Sequence, residues 1–213
     1  MASALIVPPP PGSEAAALAR RLSAVLDDPA ITRIVVAPPP ERESGENPDA
    51  FFGAVVGVLM RHERLDVEVA YAAPEATAAT SVYGLPHGEA ARELAEHGAA
   101  QALPLIRDDA ATVLVGRARH RGADGEALVG ETYVDSERLF EGRTRAVQIE
   151  PLTVEPGVRG RVQRRLPGGW LTGRAVQTGG ANLVVEREGV LTPRTVKRST
   201  FYRHHLDWKL VRP

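Results

Sequence analysis

The sequence predicts a small α/β half with a parallel sheet, followed by a half that forms an antiparallel β sandwich or barrel. Two observations support this fold class. Over residues 1–100, short apolar β-like runs alternate with longer helical patterns, an order that gives parallel strands with right-handed crossovers. Beyond residue 100, short strands recur every 8–14 residues between glycine-bearing turns, without helical patterns. We therefore divide the chain into an α/β half over 1–100 and an all-β half over 101–213, as two domains or as one integrated domain.

The elements of the first half follow from apolar periodicity and from proline and glycine boundaries. Nearly continuous or alternating apolar runs predict strands at Ser3–Val7, Ile31–Ala37 and Val67–Tyr71. Apolar residues at helical spacing predict one helix capped by Ser13 and a second that Pro48 opens. A third helix is predicted over Glu89–His97, with Gly98 as its C-cap. The segment Pro74–Ser81, between the second and third helices, is small and polar.

The second half contains only strand patterns. The predicted strands are Ala102–Ile106, Thr112–Arg119, Leu128–Val134, Ala146–Ile149, Arg159–Arg165, Leu171–Gln177, Leu183–Arg187 and Arg194–Arg198. Glycine-bearing turns separate them, including one at Gly179-Gly180. The last 12 residues form either a final strand or a tail that packs back through Trp208 and Leu210.

Composition limits the class of protein. The chain has 213 residues, of which 43% are hydrophobic and 25% charged, a balance typical of globular proteins. The absence of cysteine excludes disulfide scaffolds, zinc–thiolate sites and cysteine nucleophiles. No apolar run approaches the roughly 18 residues of a membrane span, and the N-terminus lacks the basic region of a signal peptide. Arginine outnumbers lysine by 24 to 2, a bias typical of GC-rich coding, and we expect a cytoplasmic bacterial protein.

The small net charge of −1 conceals an asymmetry. Residues 1–150 hold 14 basic and 23 acidic side chains, whereas residues 151–213 hold 12 basic and 4 acidic ones. One interpretation is that the oppositely charged halves dock on each other. The other is that the basic part faces an anionic ligand, a lipid head group or nucleic acid.

A glycine-bracketed turn leads into the third helix and suits an anion. The turn contains His87 and Gly88, and the helix begins directly after them. Backbone N–H groups at a helix N-terminus bind anions, and a histidine there could donate to a phosphate or act as a general base. The alternative is a solvated loop histidine.

Carboxylates near the predicted strand ends form a second candidate site. Asp108 and Asp109 follow the strand Ala102–Ile106, and Glu131 lies on a later strand. Hard oxygen ligands of this kind suit Mg²⁺. The alternative is that Asp108-Asp109 begin a turn and that Arg107 pairs with one of them.

The basic segment Arg194–His205 forms the third candidate site. It contains Arg198 and Arg203, interleaved with hydroxyl and aromatic side chains. A row of cations on a strand binds phosphate or a polyanion. The alternatives are an edge strand protected by charge, or a surface that docks on the acidic half.

Three segments resemble the diacylglycerol kinase-like lipid kinases, which are relatives of NAD kinase. Pro86-His87-Gly88 through Ala91-Arg92 resembles the loop and helix start that the family writes P-x-G-T-x-N-D-x-A-R. Leu103–Asp108 resembles the family's entry into its β domain, and Arg187-Glu188-Gly189 resembles its Asp-Gly-Glu turn. The chain has no counterpart of the family's Gly-Gly-Asp-Gly-Thr loop, because AAPEATAATS follows Tyr71. The resemblance therefore implies a shortened relative that has lost or altered phosphoryl transfer.

From these patterns we expect a lipid-kinase-like protein, non-catalytic or degenerate, that binds an anionic ligand between its halves. The ligand would be a nucleotide or a phospholipid head group, held by Arg107, Arg198 and Arg203. The enzyme alternative is a phosphotransferase of the diacylglycerol kinase-like type, with Mg²⁺ held by Asp108, Asp109 and Glu131 and a nucleotide as cosubstrate. A third alternative is a module that binds nucleic acid or protein through its basic half. We rank nucleic acid lowest as a partner because aromatic residues make up only 5% of the chain. A homo-oligomer is compatible with the sequence.

Overall fold

The computed structural model describes residues 2–8, 15–163 and 168–213, so the predicted cap at Ser13 lies outside the described residues. The chain divides into two compact units. The first unit comprises Met1–Leu103 and Leu206–Pro213, and the second comprises Pro104–His205. The first unit contains 9 basic and 15 acidic residues, and the second contains 17 basic and 12 acidic ones.

Five α-helices, one short 3-10 helix (Ala123–Gly125) and thirteen strands are present in the described residues. The helices are α1 (Ala15–Leu26), α2 (Glu41–Ser44), α3 (Pro48–Arg61), α4 (Ala78–Tyr83) and α5 (Glu89–His97). The first strands are β1 (Ala2–Ile6), β2 (Ile31–Val36), β3 (Glu68–Tyr71), β4 (Ala99–Asp108), β5 (Val113–Leu114), β6 (Ala118–Gly122) and β7 (Leu128–Val134). The remaining strands are β8 (Glu137–Thr144), β9 (Ala146–Pro151), β10 (Val158–Gln163), β11 (Leu171–Gly173), β12 (Ala175–Arg187) and β13 (Val190–Arg212).

The first unit is built on a parallel sheet. Strands β1, β2 and β3 are parallel neighbours, and the end of β13 adds a fourth parallel strand, with Leu210 opposite Val69. Trp208 of that last strand is buried against the rings of Phe52 and Tyr83. The C-terminal residues therefore form a strand, and both Trp208 and Leu210 lie in the core of this unit.

A buried carboxylate connects α3 to β3 and to α4. Asp49 is 1% exposed and accepts hydrogen bonds from the Tyr71 hydroxyl (3.0 Å) and from the Ala79 N–H (2.9 Å). Helix α3 begins here because Asn47 caps it and Pro48 occupies a first-turn position, where its missing N–H costs nothing.

The second unit is antiparallel. The strand order is β13-β12-β6-β9-β10-β11, while β7 pairs with β12 and β8, and β4 pairs with β5. On β6 and β10 buried and partly exposed residues alternate, which is the pattern of a sheet with one face on a core. The core contains side chains from nearly all of these strands, among them Leu128, Val176 and Phe201. The fold is thus α/β with a β-rich second half, as the sequence predicts.

The predicted turn at Gly179-Gly180 is wrong, because both glycines lie inside β12. There the backbone of β12 approaches β7 so closely that a Cβ on Gly130 would lie 2.0 Å from the carbonyl oxygen of Gly179. Glycine is required at this contact for packing and does not mark a turn. The structure also adds α4, which begins in the small, polar segment Pro74–Ser81, and β8 between two predicted strands. No helix in the described ranges has the length and apolarity needed to cross a membrane.

Replacement of Asp49 by alanine tests the buried contacts of α3 with β3 and α4. We expect the free energy of unfolding to fall by about 2–3 kcal/mol, because the buried Ala79 N–H loses its acceptor. Urea denaturation measures the loss. Asp66→Ala is the matched control: Asp66 is exposed and forms a single ion pair, with Arg64, within the described part of the chain, so its loss should change stability by less than about 0.5 kcal/mol. Equal effects of the two substitutions would contradict the structural role of Asp49.

Candidate anion-binding cleft

An open cleft of about 540 Å³ lies within the second unit. One part of its wall is the turn after β4, and the rest comes from the β12–β13 hairpin. Its lining residues are Asp109, Ala110, Thr112, Val185, Arg187, Thr192, Arg194, Val196, Arg198 and Ser199. Three arginines and three hydroxyl side chains thus line the cleft, against one carboxylate.

Two of the three arginines have no ion-pair partner within the described parts of the chain. Arg194 and Arg198 lie on β13, four residues apart, and both are exposed. Neither forms a salt bridge or a side-chain hydrogen bond with another described residue. Their guanidinium groups are therefore available to a ligand, and guanidinium is the side chain best matched to phosphate oxygens.

The third arginine is held by a buried aspartate. Asp108 is 0% exposed, and its Oδ2 accepts from Nε of Arg187 at 2.5 Å. Its Oδ1 accepts from the N–H groups of Ala110 (2.9 Å) and Thr112 (2.8 Å). One carboxylate thus fixes both the turn after β4 and the guanidinium of β12, which are two parts of the cleft wall.

A buried histidine lies next to Arg187. The His120 ring is fully buried and packs against Phe201 at 5.5 Å between centroids, and the guanidinium of Arg187 lies 5.9 Å from the same phenyl ring. Burial, together with the positive charge of Arg187, lowers the pKa of His120 from 6.5 to about 3. The imidazole is therefore neutral at physiological pH.

Of the predicted phosphate ligands, only Arg198 lines the cleft. The Nε of Arg107 donates to the Tyr202 hydroxyl at 2.9 Å, and its guanidinium lies over the Tyr202 ring. Arg203 forms an ion pair with Glu155 at 2.5 Å. Both arginines are thus engaged by neighbouring side chains.

The structure places His87 and Gly88 in the first unit, at the start of α5. His87 is exposed. The backbone N–H of Gly88 donates to the carbonyl of Ala73 at 2.8 Å, so this donor is already used within the protein. The anion site predicted for this turn stays a prediction.

The three carboxylates predicted to hold Mg²⁺ have different surroundings. Asp108 is occupied by Arg187 and two N–H groups, Asp109 lines the cleft, and Glu131 is exposed on β7, where it accepts from Tyr133. In the described part of the chain, no three or more His, Asp or Glu side chains are grouped as a metal site requires. The alternative interpretation, in which Asp108 begins a turn, agrees with its two N–H contacts, although its cation partner is Arg187 and not Arg107.

The same unit carries a second arginine surface, which differs from the cleft because its charges are neutralised internally. Glu150 pairs with Arg117 and Arg159, and Glu186 pairs with Arg119 and Arg121. Burial raises the pKa of both carboxyls, but hydrogen bonds from these arginines outweigh it and hold both pKa values below their ordinary range. The guanidiniums of Arg159 and Arg161 also lie over the Trp170 ring, at 4.3 and 4.4 Å.

Glu188, the acidic residue of the Arg187-Glu188-Gly189 turn, accepts hydrogen bonds from backbone N–H groups. Its carboxylate accepts from the N–H groups of Val115 (2.8 Å), Gly116 (2.8 Å) and Arg117 (3.0 Å), and the residue is 5% exposed. Three backbone donors on one carboxylate fix the segment that leads into β6 against the hairpin between β12 and β13.

Arg187, Arg194 and Ser199 cannot be recognised as a group from the sequence. Arg194 and Ser199 belong to the basic segment Arg194–His205, and Arg187 belongs to the turn that resembles the Asp-Gly-Glu turn of the diacylglycerol kinase-like family. What the sequence does not contain is the pairing of β12 with β13, which places Val185 opposite Thr192 and Leu183 opposite Val196. This long-range pairing brings the three residues to one cleft, and nothing in the local sequence pattern specifies it.

Comparisons with known proteins give matches by structure alone. No family model matches the chain, and no curated protein sequence matches it. An NAD kinase from Archaeoglobus fulgidus in complex with ATP is similar with a TM-score of 0.59 and 9% identity, over 100% of this chain and 94% of that one. A putative diacylglycerol kinase from Bacillus anthracis has a TM-score of 0.69 and 10% identity, over 94% of this chain and 83% of that one. A further structure of a putative diacylglycerol kinase from that organism has a TM-score of 0.67 and 9% identity, over 94% and 84% of the chains.

These similarities establish the fold of the chain. It has the fold shared by NAD kinases and diacylglycerol kinase-like proteins, which confirms the resemblance drawn from the sequence. At identities near 10% the similarity concerns the fold and not the activity.

Burial of His120 predicts a specific pH dependence of stability. The unfolded chain binds a proton at this histidine below about pH 6.5, whereas the folded protein does not until the pH approaches 3. Stability should therefore fall as the pH is lowered from 6.5, by up to about 1.4 kcal/mol per pH unit from this group alone. His120→Gln should remove one proton from the slope of unfolding free energy against pH between 6 and 4, measured by urea denaturation. An unchanged slope in His120→Gln would contradict the neutral, buried imidazole.

Proposed function

We propose that this chain is a non-catalytic member of the kinase-fold proteins that binds a phosphate-bearing ligand in the arginine cleft of its second unit. The observation that carries the proposal is the pair Arg194 and Arg198, exposed and without ion-pair partners in the described residues, beside Arg187 in the same cleft. The cleft volume of about 540 Å³ is within the usual range for small-molecule sites.

The charges of the cleft favour an anion, because the unpaired arginines outnumber the carboxylate that lines it. The Asp108 carboxylate balances the charge of Arg187. Arg194 and Arg198 supply two further positive charges, and Asp109 supplies one negative charge, so the cleft has a net positive charge. The hydroxyls of Thr112 and Thr192 also line the cleft and add uncharged donors for phosphate oxygens. Because the NAD kinase that is similar in structure is described in complex with ATP, a nucleotide is one suitable probe.

The segment after β3 supports binding without phosphoryl transfer. The kinases that this chain resembles carry Gly-Gly-Asp-Gly-Thr after the corresponding strand. This chain has Ala72-Ala73-Pro74-Glu75 at that position. Pro74 has no N–H to donate, and the N–H of Ala72 donates to the carbonyl of Val36 (2.9 Å). This loop therefore offers a phosphate few free backbone donors.

The acidic residues of the second unit also support a binding role. Asp108 and Glu188 are both buried, and their carboxylates are used by Arg187 and by backbone N–H groups. A carboxylate already satisfied in this way is a poor general base or metal ligand without rearrangement. The alternative function, Mg²⁺-dependent phosphoryl transfer, requires such a rearrangement.

Two measurements on the same protein distinguish phosphoryl transfer from binding of a phosphate-bearing ligand. Isothermal titration calorimetry with inorganic pyrophosphate and with ATP, with and without Mg²⁺, measures binding. Release of ADP in the presence of NAD or a diacylglycerol measures transfer, and we expect none above the rate without protein. ADP release that depends on the acceptor would contradict a non-catalytic role.

Substitution of the two unpaired arginines tests the site directly. Arg194→Ala and Arg198→Ala should each weaken binding of pyrophosphate about tenfold, because each removes a charge-assisted hydrogen-bond donor to phosphate. The matched control is Arg143→Ala, which removes one exposed arginine from β8 of the same unit, outside the cleft. Binding that is unchanged in both cleft variants, or reduced equally in Arg143→Ala, would overturn the assignment of the cleft.

A further inference from the structure

Strand β1 forms an open edge of the parallel sheet in the first unit. Among the described residues it pairs with β2 alone, at the end of the order β1-β2-β3-β13. The side chain of Leu5 is 61% exposed and that of Val7 is 38% exposed, whereas Ile34 and Val36 of β2 are fully buried. The strand Ala2–Ile6 contains no charged side chain. Because edge strands of natural proteins are usually protected by charges, an uncharged edge with exposed apolar side chains indicates a partner strand.

The backbone groups of Ser3 and Leu5 point to this open edge. The carbonyl of Ile6 faces β2, since it accepts from the N–H of Ala37 at 2.9 Å. The hydrogen-bonding groups of successive residues in a strand point to alternate sides, so those of Ser3, Leu5 and Val7 point away from β2. The carbonyl of Val7 is already used, because it accepts from Nη1 of Arg21 at 3.2 Å. The edge therefore offers a partner the N–H and C=O groups of Ser3 and Leu5.

A second copy of β1 matches these groups. If a two-fold axis passes by Ala4, the two strands are antiparallel, and Ser3 of each copy lies opposite Leu5 of the other. Each such pair exchanges both of its N–H···O bonds, and the carbonyl of Val7 stays with Arg21. The two Leu5 side chains then lie on the same face as diagonal neighbours, within reach of each other. This register satisfies the edge and covers its most exposed apolar side chain.

The charges beside β1 are complementary under the same symmetry. Arg21 lies at the C-terminal end of the strand, where it donates to Val7. Asp28 lies at the N-terminal end, because its carbonyl accepts from the N–H of Ile31, which pairs with Ala2. Both charged side chains are exposed, and neither forms an ion pair with another residue in the described ranges. Antiparallel pairing brings the two ends together, so Arg21 of each copy approaches Asp28 of the other.

We propose that two copies of this chain associate through β1 and join their parallel sheets into one continuous sheet across a two-fold axis. The contact consists of the paired backbones of Ser3 and Leu5, the two Leu5 side chains and two symmetric Arg21–Asp28 pairs. It uses residues of the first unit alone, so it is independent of the proposed function of the cleft.

Sedimentation equilibrium of the full chain tests the association. The wild type should sediment at twice the chain mass of 22.8 kDa. Leu5→Lys should raise the dissociation constant of the dimer at least about tenfold, because it places two ammonium groups close together at the edge. The matched control is Val154→Lys, the same change at a valine that is 65% exposed in the second unit, and it should leave the constant unchanged.

Exchange of the two charges tests the antiparallel arrangement. Arg21→Asp and Asp28→Arg should each weaken the dimer about threefold to tenfold, because each creates like charges at both ends of the contact. The double variant should recover most of the wild-type affinity, since opposite charges then meet again. Recovery distinguishes a direct contact between copies from damage to either copy by the single substitutions.

Amide hydrogen exchange of the wild type gives an independent readout. The N–H groups of Ser3 and Leu5 should exchange more slowly as the protein concentration rises, because they donate across the axis in the dimer. A wild type that is monomeric at about 100 μM would overturn the proposal. A dimer that Leu5→Lys leaves intact, a double charge variant that stays as weak as the single ones, or exchange at Ser3 and Leu5 that does not depend on concentration would each overturn it as well.

Discussion

The buried ion pair between Asp108 and Arg187 is the contact on which the cleft depends. Asp108 is the last residue of β4 and Arg187 is the last of β12, so the pair joins two strands that are distant in sequence. The same carboxylate holds the N–H groups of Ala110 and Thr112, which fixes the wall opposite the hairpin. Removal of either partner would leave a buried charge unpaired, the most costly way to break such a pair.

This pair also decides which charges remain for a ligand. Because Arg187 is neutralised within the protein, the attraction for an anion comes from Arg194 and Arg198 on the opposing strand. On the other arginine surface, by contrast, Glu150 and Glu186 are each shared between two guanidiniums. The second unit thus contains many arginines, and its internal pairing distinguishes those that stabilise the sheet from those that are free to bind.

The sequence predicts most of the fold and little of the site, for a physical reason. Helix α5 has the predicted bounds, and β2 and β3 lie within one residue of theirs, because local periodicity and caps determine them. Strand β8 was missed because only part of its pattern is apolar, and Gly179-Gly180 was misread because the contact with Gly130 is long-range. The site depends on such contacts as well: partners distant in sequence, Tyr202 and Glu155, occupy Arg107 and Arg203, and strand pairing brings Arg187 to the cleft.

The most direct test of the cleft as the anion site is a titration with inorganic pyrophosphate followed by NMR. The observed signals are the arginine Nε–H groups and the backbone amides in ¹H–¹⁵N spectra. If the cleft is the anion site, the signals of Arg194 and Arg198 and the amide of Ser199 will move together with one binding curve, while those of Arg119 and Arg161 stay in place. Shifts concentrated at Arg119, Arg121, Arg159 and Arg161, with none at Arg194 and Arg198, would contradict it.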